Sequence, residues 1–410
     1  MNKQMLPVTV LGMFCVWTQF GVTGDKARAA APASSPASIS DQGYCRSERT
    51  MDDIKEAEAA LKEQWRNEAK TAGNRFKSGT YLDPNGYVWK YGMTLPAKME
   101  AGVKYPLFIG NMGWALAMSE SQAQYPCYIL NCSMPETLFR PTQTGFDAPR
   151  DYKSVTAAAI KAVIDKLLAE DPSIDASRVY IEGASKFGAL AWISAYNYPD
   201  TYAAIVPSVA GLDISKAFVV GQRKIGIWMY YGVLDGGEID VTLKKSPHGR
   251  THPHIDKALR DAGYDCVMTV YTHGDHHEYG FSDSLKNPQW NDFTQLRKWL
   301  FAQKKSPADW PVISGAVAAH AAIGQPFSYK ITASHGPQTF GAVLTIEHAE
   351  RPDGSVMKPD QDLPKGLTLD PKTGVLSGTP GEAGRFFIRL TATNDKGVGV
   401  STLLLAVKDR

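Results

Sequence analysis

The sequence predicts an α/β fold, a mainly parallel sheet with helices on both faces, followed by a smaller all-β sandwich. Three observations carry that expectation. From Tyr105 to Tyr271, short apolar runs alternate with helical patterns, the rhythm of strands joined by crossover helices. Inside that region Arg178-Val-Tyr-Ile-Glu-Gly-Ala-Ser-Lys-Phe-Gly188 reads as a buried strand, a sharp turn and the start of a helix. From Pro311 onward, period-two alternation and turn dipeptides replace helical spacing.

A chain of 410 residues suits two domains, and a 43% apolar fraction is ample for their cores. The expected division is a signal peptide over 1–29, a linker over 30–41, an α/β domain over 42–308 and a β-sandwich over 309–410. The first segment has Lys3, an apolar run from Leu6 to Trp17, and Ala27-Arg-Ala29 or Ala29-Ala-Ala31 as a small-residue cleavage site. That run is too short to span a bilayer, and no later stretch approaches the ~20 residues required. The chain is therefore expected outside the cytoplasm, secreted or periplasmic. Loss of Lys3, Asp25, Lys26 and Arg28 with the signal would take the net charge from +2 to zero. A neutral chain gives no reason to expect nucleic acid or an anionic membrane as partner.

Cys45, Cys127, Cys132 and Cys266 remain after export and allow three full pairings. Cys127 and Cys132 lie five apart in an apparent strand, at ~3.3 Å per residue, too far to bridge each other.

The elements follow in order. Ala30 to Ser40 is rich in Ala, Pro and Ser, as a flexible linker is. Asp52 to Lys70 reads as a helix with Ile54, Ala57, Leu61 and Trp65 along one side. Tyr81 to Thr94 reads as a hairpin turning at Pro84-Asn-Gly86. Tyr105 to Ile109 and Pro126 to Asn131 are strands, and Ser154 to Glu170 a strongly periodic helix. Val179 to Ile181, Ala203 to Val209, Gly226 to Tyr231 and Cys266 to Tyr271 complete the sheet, with a helix near 255–263 before the last. In the sandwich, strands are expected at Phe327 to Thr332, Val343 to Ile346, Phe386 to Thr393 and Ser401 to Val407. That region holds no cysteine and no catalytic constellation.

The chemistry gathers beyond the carboxyl ends of the strands, where such sheets place their active groups. Ser185 sits at the apex of the turn Gly183-Ala-Ser-Lys-Phe-Gly188, lifted from the sheet and facing a helix N-terminus. A serine hydroxyl needs a base to take its proton and a third group to orient that base. Asp235 follows the strand ending Trp228-Met-Tyr-Tyr-Gly-Val-Leu, with Glu238 and Asp240 as rivals for the acid role. Tyr271-Thr-His-Gly-Asp-His-His-Glu278 offers His273, His276 and His277, and His276 is favoured because Gly274 can form the tight loop before it. Serine, acid and histidine thus follow three separate strands in the order expected of this architecture.

The oxyanion needs two donors, expected from the Lys186 N–H and from the loop Gly110-Asn111-Met-Gly113. Trp114, His277 and Tyr279 are candidate substrate contacts. The rival reading of the histidines as a metal site, with Asp275, Glu278, His252 and His254, lacks any helical H-x-x-x-H spacing. No metal or cofactor is expected.

These motifs resemble the α/β-hydrolase superfamily, and more narrowly secreted esterases of the feruloyl-esterase, acetylxylan-esterase and polyhydroxybutyrate-depolymerase type. The resemblance runs from about Tyr81 to Leu300. It includes Lys104-Tyr-Pro-Leu107, Asp175-Ala-Ser-Arg-Val-Tyr-Ile-Glu-Gly183, Tyr198-Pro-Asp-Thr-Tyr-Ala-Ala-Ile-Val-Pro207, Gly232-Val-Leu-Asp235 and Tyr271-Thr-His-Gly-Asp-His276. Gly183-Ala-Ser-Lys186 is also similar to the nucleophile turn of PhoPQ-activated pathogenicity-related proteins. Leu363 to Pro380 resembles an immunoglobulin-like domain of bacterial surface and secreted proteins.

Three positions depart from the esterase pattern. Phe187 stands in place of the usual glycine, Gly110-Asn111 in place of His-Gly, and Asp275 where relatives often carry glycine. The resemblance implies an exported serine esterase acting on an ester substrate, possibly polymeric, such as acylated or feruloylated polysaccharide. The alternatives are a hydrolase-fold binding protein that has lost its chemistry and, within the same fold, a serine peptidase.

Overall fold

The computed structural model of the protein describes residues 44–47, 50–69, 75–110, 113–135, 138, 140–142, 145–147, 152–210, 220, 223–234, 256, 259–260, 264, 266–276, 292–345 and 362–409. The signal peptide and linker read over 1–29 and 30–41 lie outside the described residues. So do Asn111, Asp235, Glu238, Asp240, His277 and Tyr279.

A nine-stranded sheet forms the centre of the larger part. Its strands in chain order are β1 (Tyr44–Ser47), β2 (Phe76–Leu82), β3 (Val88–Thr94), β4 (Tyr105–Ile109), β5 (Tyr128–Ser133), β8 (Ile174–Ala184), β9 (Ala204–Ser208), β10 (Gly226–Gly232) and β11 (Val267–Tyr271). A small separate hairpin, β6 (Arg140–Thr142) and β7 (Gly145–Asp147), precedes β8. The sheet order is β1-β11-β10-β9-β8-β4-β5-β3-β2. Every pairing from β1 to β5 is parallel, and β3 and β2 complete the sheet antiparallel. The mainly parallel sheet read from the sequence is therefore present.

The hairpin β2–β3 turns where expected, and Asp83 explains why. Its Oδ1 accepts the N–H groups of Asn85 at 2.8 Å and Tyr87 at 3.0 Å, while Oδ2 accepts Trp89 Nε1 at 2.8 Å. Gly86 supplies the positive φ of 85° that closes the turn. β1 was not legible in the sequence. Four residues without period-two alternation pair with β11 and lengthen the sheet at that edge.

Helices cover both faces, as the near-continuous apolar strands require. On one face lie α4 (Tyr152–Glu170) and α5 (Lys186–Asn197), packing Val155, Ile160, Val163, Leu190 and Trp192 against Leu107, Val179 and Ile181. On the other face lie α1 (Met51–Ala69), the short α2 (Gly113–Leu116) and α3 (Ser119–Gln124), and α6 (Asp292–Ala302). There Ile54, Leu116, Leu296 and Leu300 pack on Phe108, Tyr180 and Trp228. Helix α1 starts at Thr50, whose hydroxyl accepts the Asp53 N–H at 3.2 Å while Asp53 Oδ2 accepts the Thr50 N–H at 3.0 Å. Among the described residues no helix is long and apolar enough to cross a membrane.

The sandwich contains β12 (Ile313–Ser314), β13 (Ala318–Ala322), β14 (Phe327–Lys330), β15 (Thr332–Ala333), β16 (Thr339–Thr345), β17 (Leu367–Asp370), β18 (Val375–Gly378), β19 (Gly384–Asn394) and β20 (Gly397–Lys408). One sheet runs β13-β20-β19-β16, the other β14-β18-β17, and β12 pairs with β15. Leu376, Ile388, Leu390, Leu403 and Leu405 fill the space between them.

The two parts belong to one compact unit, and their boundary is more intimate than an independent pair of domains predicts. Val317, Phe387 and Leu404 of the sandwich join the core cluster of the α/β part, and β20 packs on α4 and α5. Thr402 Oγ1 donates to Asn197 Oδ1 at 3.0 Å, both residues buried. A second knot centres on Asp200. Arg223 Nε lies 2.9 Å from its Oδ1, Trp310 Nε1 donates to that oxygen at 3.1 Å, and Lys305 Nζ donates to its carbonyl at 2.8 Å. The Arg223 guanidinium stacks 4.8 Å from the Trp310 ring centre and also donates to the Val398 carbonyl.

Candidate active site

The site begins where β8 hands over to α5. Ser185 occupies that junction with φ 54° and ψ −116°, a conformation a non-glycine residue adopts only when its surroundings hold it. Those surroundings are identifiable. The Ser185 N–H donates to Ser208 O at the end of β9 at 2.9 Å, and Ser185 O accepts the Ala189 N–H at 2.9 Å. Strand and helix meet so closely that a Cβ on Gly183 would lie 2.4 Å from the Phe187 carbonyl carbon. A Cβ on Gly188 would lie 2.6 Å from Ala210 Cβ and 2.8 Å from Ser208 O. Gly183 and Gly188 are thus the contact glycines of this turn. Phe187 is accommodated because Gly183 yields the space beneath its backbone.

His276 Nε2 lies 2.8 Å from Ser185 Oγ. The loop that delivers it leaves β11 at Tyr271 and turns at Gly274, whose N–H donates to Tyr271 O at 3.1 Å. The end of β10 is laced to the same loop. Val233 N–H donates to Tyr271 O at 3.0 Å, and Leu234 N–H donates to Gly274 O at 2.7 Å. Leu234 is the residue before Asp235, so the strand end that carries the acid candidate is fastened to the histidine loop. Below the loop, the Asp275 N–H meets Met51 Sδ at 3.4 Å, at the start of α1. His273 is exposed and immediately precedes the buried turn residue Gly274.

Lys186 follows Ser185 in the first turn of α5, where a helix cannot satisfy its own N–H groups internally. Gly110 closes β4 on the other side of β8. A Cβ there would sit 2.4 Å from Glu182 Oε2, so the carboxylate of Glu182, buried on β8, presses against the Gly110 backbone. Glu182 was missed by the sequence reading. Its signal was available, a carboxylate inside an apolar strand three residues before the nucleophile. Trp114 opens α2 just past that loop. Its ring meets Trp65 edge-on at a centroid distance of 6.4 Å, with Lys62 Nζ 5.9 Å from its centre.

Burial, and after it the charge of Lys153, holds the Lys186 ammonium below the usual lysine value. Among the described residues no three His, Cys, Asp or Glu side chains are grouped to hold a metal ion. Cys127 and Cys132 are free thiols, the first buried, and the buried Cys266 Sγ donates to Asp256 Oδ1 at 2.9 Å.

Residues 311–408 match the model of the Putative Ig domain family. No curated protein sequence matches the chain. Among solved structures, similar chains include a thermostable esterase at 23% identity, covering 56% of this chain and 64% of that one, with a TM-score of 0.40. A ferulic acid esterase matches at 15% identity over 55% of this chain and 98% of its own, with a TM-score of 0.36. An acylaminoacyl peptidase, solved with Z-Gly-Gly-Phe-chloromethyl ketone, matches at 13% identity over 57% of this chain and 43% of its own, with a TM-score of 0.38. The chain spans less than two thirds of the thermostable esterase and of the peptidase. Residues 44–302 thus carry a mainly parallel sheet with helices on both faces, Ser185 on a strand-to-helix turn and His276 after β11, and they are followed by the β-sandwich that matches the Ig model.

Proposed function

We propose that the protein is an exported serine hydrolase of carboxylic esters. The observation that carries this reading is the 2.8 Å contact between His276 Nε2 and Ser185 Oγ. It is made at a strand-to-helix turn that holds Ser185 in a strained conformation. A nucleophile and base within hydrogen-bond reach, presented at the carboxyl edge of a parallel sheet, favour catalysis over a binding protein with lost chemistry.

In the proposed reaction His276 takes the Ser185 proton as Oγ attacks the ester carbonyl. The tetrahedral oxyanion forms at the α5 N-terminus, within reach of the Lys186 N–H, with a second donor supplied from the loop after Gly110. His276 then returns the proton to the leaving alcohol, and an acyl-enzyme on Ser185 is left. Water, deprotonated by His276, attacks that acyl group, and collapse of the second tetrahedral intermediate releases the acid as His276 returns the proton to Ser185 Oγ. Asp235 is assigned the role of holding the His276 ring and favouring its charged form.

The compartment and substrate are the finer part of the proposal. The signal-like start supports export, and an exported esterase carrying an Ig-like sandwich suits an ester on a polymer or its fragments. A fluorophosphonate probe should label the mature protein, and Ser185→Ala should abolish labelling together with hydrolysis of short-chain nitrophenyl esters. Labelling or turnover that survives the substitution refutes the assignment.

A further inference from the structure

We propose that Glu182 is a positioning residue for the oxyanion site: it seats Gly110, and through Gly110 the loop that supplies the second oxyanion donor. This deepens, and rests on, the reading of Ser185 as an esterase nucleophile.

The placement begins with register. Strands β4 and β8 pair in parallel, Phe108 with Tyr180 and Ile109 with Ile181. One residue on, Gly110 leaves β4 while Glu182 continues β8 toward Ser185. Side chains alternate along a strand, so Glu182 shares the face of Tyr180, on which α2 packs. A Cβ on Gly110 would lie 2.4 Å from Glu182 Oε2, 3.0 Å from Glu182 O and 3.1 Å from Glu182 Cβ. Gly110 therefore rests on both the carboxyl group and the main chain of one residue. At the other end of the loop, the Gly113 N–H donates to Gly110 O at 3.4 Å. A Cβ on Gly113 would lie 2.3 Å from Ile129 Cγ2, on β5. Both ends of the connection from β4 to α2 are thus set directly against neighbouring strands.

Packing alone does not call for a carboxyl group at this place. Glu182 is 3% exposed, and Val179, Tyr180 and Ile181 beside it on β8 are apolar and buried. Taking a carboxyl group out of water opposes folding, and an apolar side chain would fill the position without that penalty. Its place in the chain gives the reason. Glu182 stands three residues before Ser185, so one strand fixes both the nucleophile and the floor under Gly110. An oxyanion donor is effective only when it is held in place before the charge develops. Seating Gly110 on Glu182 ties the donor loop to the strand that carries the nucleophile.

The test uses the full mature chain, a short-chain nitrophenyl ester and two ketones of equal length. Ser185 Oγ adds to the carbonyl carbon of a trifluoromethyl ketone, His276 takes the proton, and the carbonyl oxygen becomes an oxyanion. The matching methyl ketone stays planar and reports ground-state binding. Glu182→Ala should lower kcat/KM by ~100-fold and weaken the trifluoromethyl ketone by a similar factor. The methyl ketone should bind within ~3-fold of wild type, because uniform binding is untouched. Glu182→Gln, which keeps the shape and an acceptor oxygen, should recover most of the loss. Gly110→Ala should imitate Glu182→Ala, since its Cβ would strike Oε2. In the double variant that collision is gone, and the contacts at 3.0 and 3.1 Å need only a small shift. The two losses should therefore not multiply. If Glu182→Ala does not fold, Glu182→Asp, which withdraws the carboxyl group by one methylene, should show the same split at ~10-fold. Wild-type kcat/KM in the Glu182 variants overturns the proposal, as does equal weakening of both ketones or full multiplication of the two losses. In each case, ester turnover that depends on Ser185 would show that the esterase reading stands. If wild type cleaves no ester and Ser185 takes no fluorophosphonate, that reading falls and this inference with it.

Discussion

Thr402, on the last strand of the sandwich, donates a 3.0 Å hydrogen bond to Asn197, at the far end of the helix that begins beside Ser185. Both side chains are buried, so the two parts of the chain share a polar contact inside a continuous apolar cluster. An independent pair of domains divided near residue 308 would allow a cut there without loss, because few core contacts normally cross such a boundary. The structure argues otherwise, because cutting there uncovers the α4–α5 face that Val317, Phe387 and Leu404 cover. A 42–308 fragment is expected to be insoluble or to unfold well below the full chain. Thr402→Val should cost about 1–3 kcal/mol, since it leaves the Asn197 amide oxygen buried without its donor. Thermal unfolding of both, followed by circular dichroism, checks this. A soluble fragment with an unchanged Tm would show that the shared interface contributes little.

The second prediction concerns the turn. A Cβ at Gly183 would meet backbone and side-chain atoms of Phe187 at 2.4–2.5 Å, and backbone cannot step aside as a flexible side chain can. Gly183→Ala should therefore push the start of α5 away from β8 and carry Ser185 with it. A displacement near 1 Å at a reacting atom lowers kcat by ~100-fold. The variant should remain folded enough to show a cooperative melt while losing most turnover. Wild-type kcat with a lowered Tm alone would mean that the turn relaxes elsewhere.

The third prediction is chemical. Burial pushes the Cys127 and Cys132 thiols up to about 12, so little thiolate exists near neutral pH. Iodoacetamide at pH 8 should leave both unmodified in the native protein and alkylate both after denaturation, as peptide mass spectrometry would show. Recovery of either in a disulfide, or rapid native alkylation, would contradict their reading as free, poorly ionised thiols.

Much of this architecture was legible because local pattern and tertiary role agree. Val179, Tyr180 and Ile181 are apolar, buried and central, and the turn after them has glycines at both close approaches. Ser185 and His276 were legible for the same reason, each following a strand whose periodicity is plain. What stayed hidden depends on partners distant in sequence. Tyr44–Ser47 becomes a strand only because β11 offers an edge. Glu182 alternates with apolar neighbours, and nothing local says that its carboxylate will press on Gly110. The sandwich strands were recognisable by alternation, yet their docking was not, because Leu404 and Phe387 look like ordinary sandwich core residues.

The last prediction ranks the histidines. His276 touches Ser185 Oγ, whereas His273 is exposed before the buried turn at Gly274. The residues of a nucleophile–base pair act as a unit, so His276→Ala should cost ~10⁴–10⁶ in kcat, about 5–8 kcal/mol in the barrier, much as Ser185→Ala does. His273→Ala should cost ~10-fold or less, about 1.4 kcal/mol. Asp235→Asn should fall between, because the ring would remain while its favoured tautomer is lost. Leu234 fastens that strand end to the Gly274 carbonyl, so the substitution should leave the loop in place and the Tm nearly unchanged. The order should be the same for two unrelated esters, since proton transfer is common to both. A different substrate contact would instead change KM for one ester and spare the other. An inactive His273→Ala beside an active His276→Ala would show that the contact in the resting enzyme is not the one used in turnover.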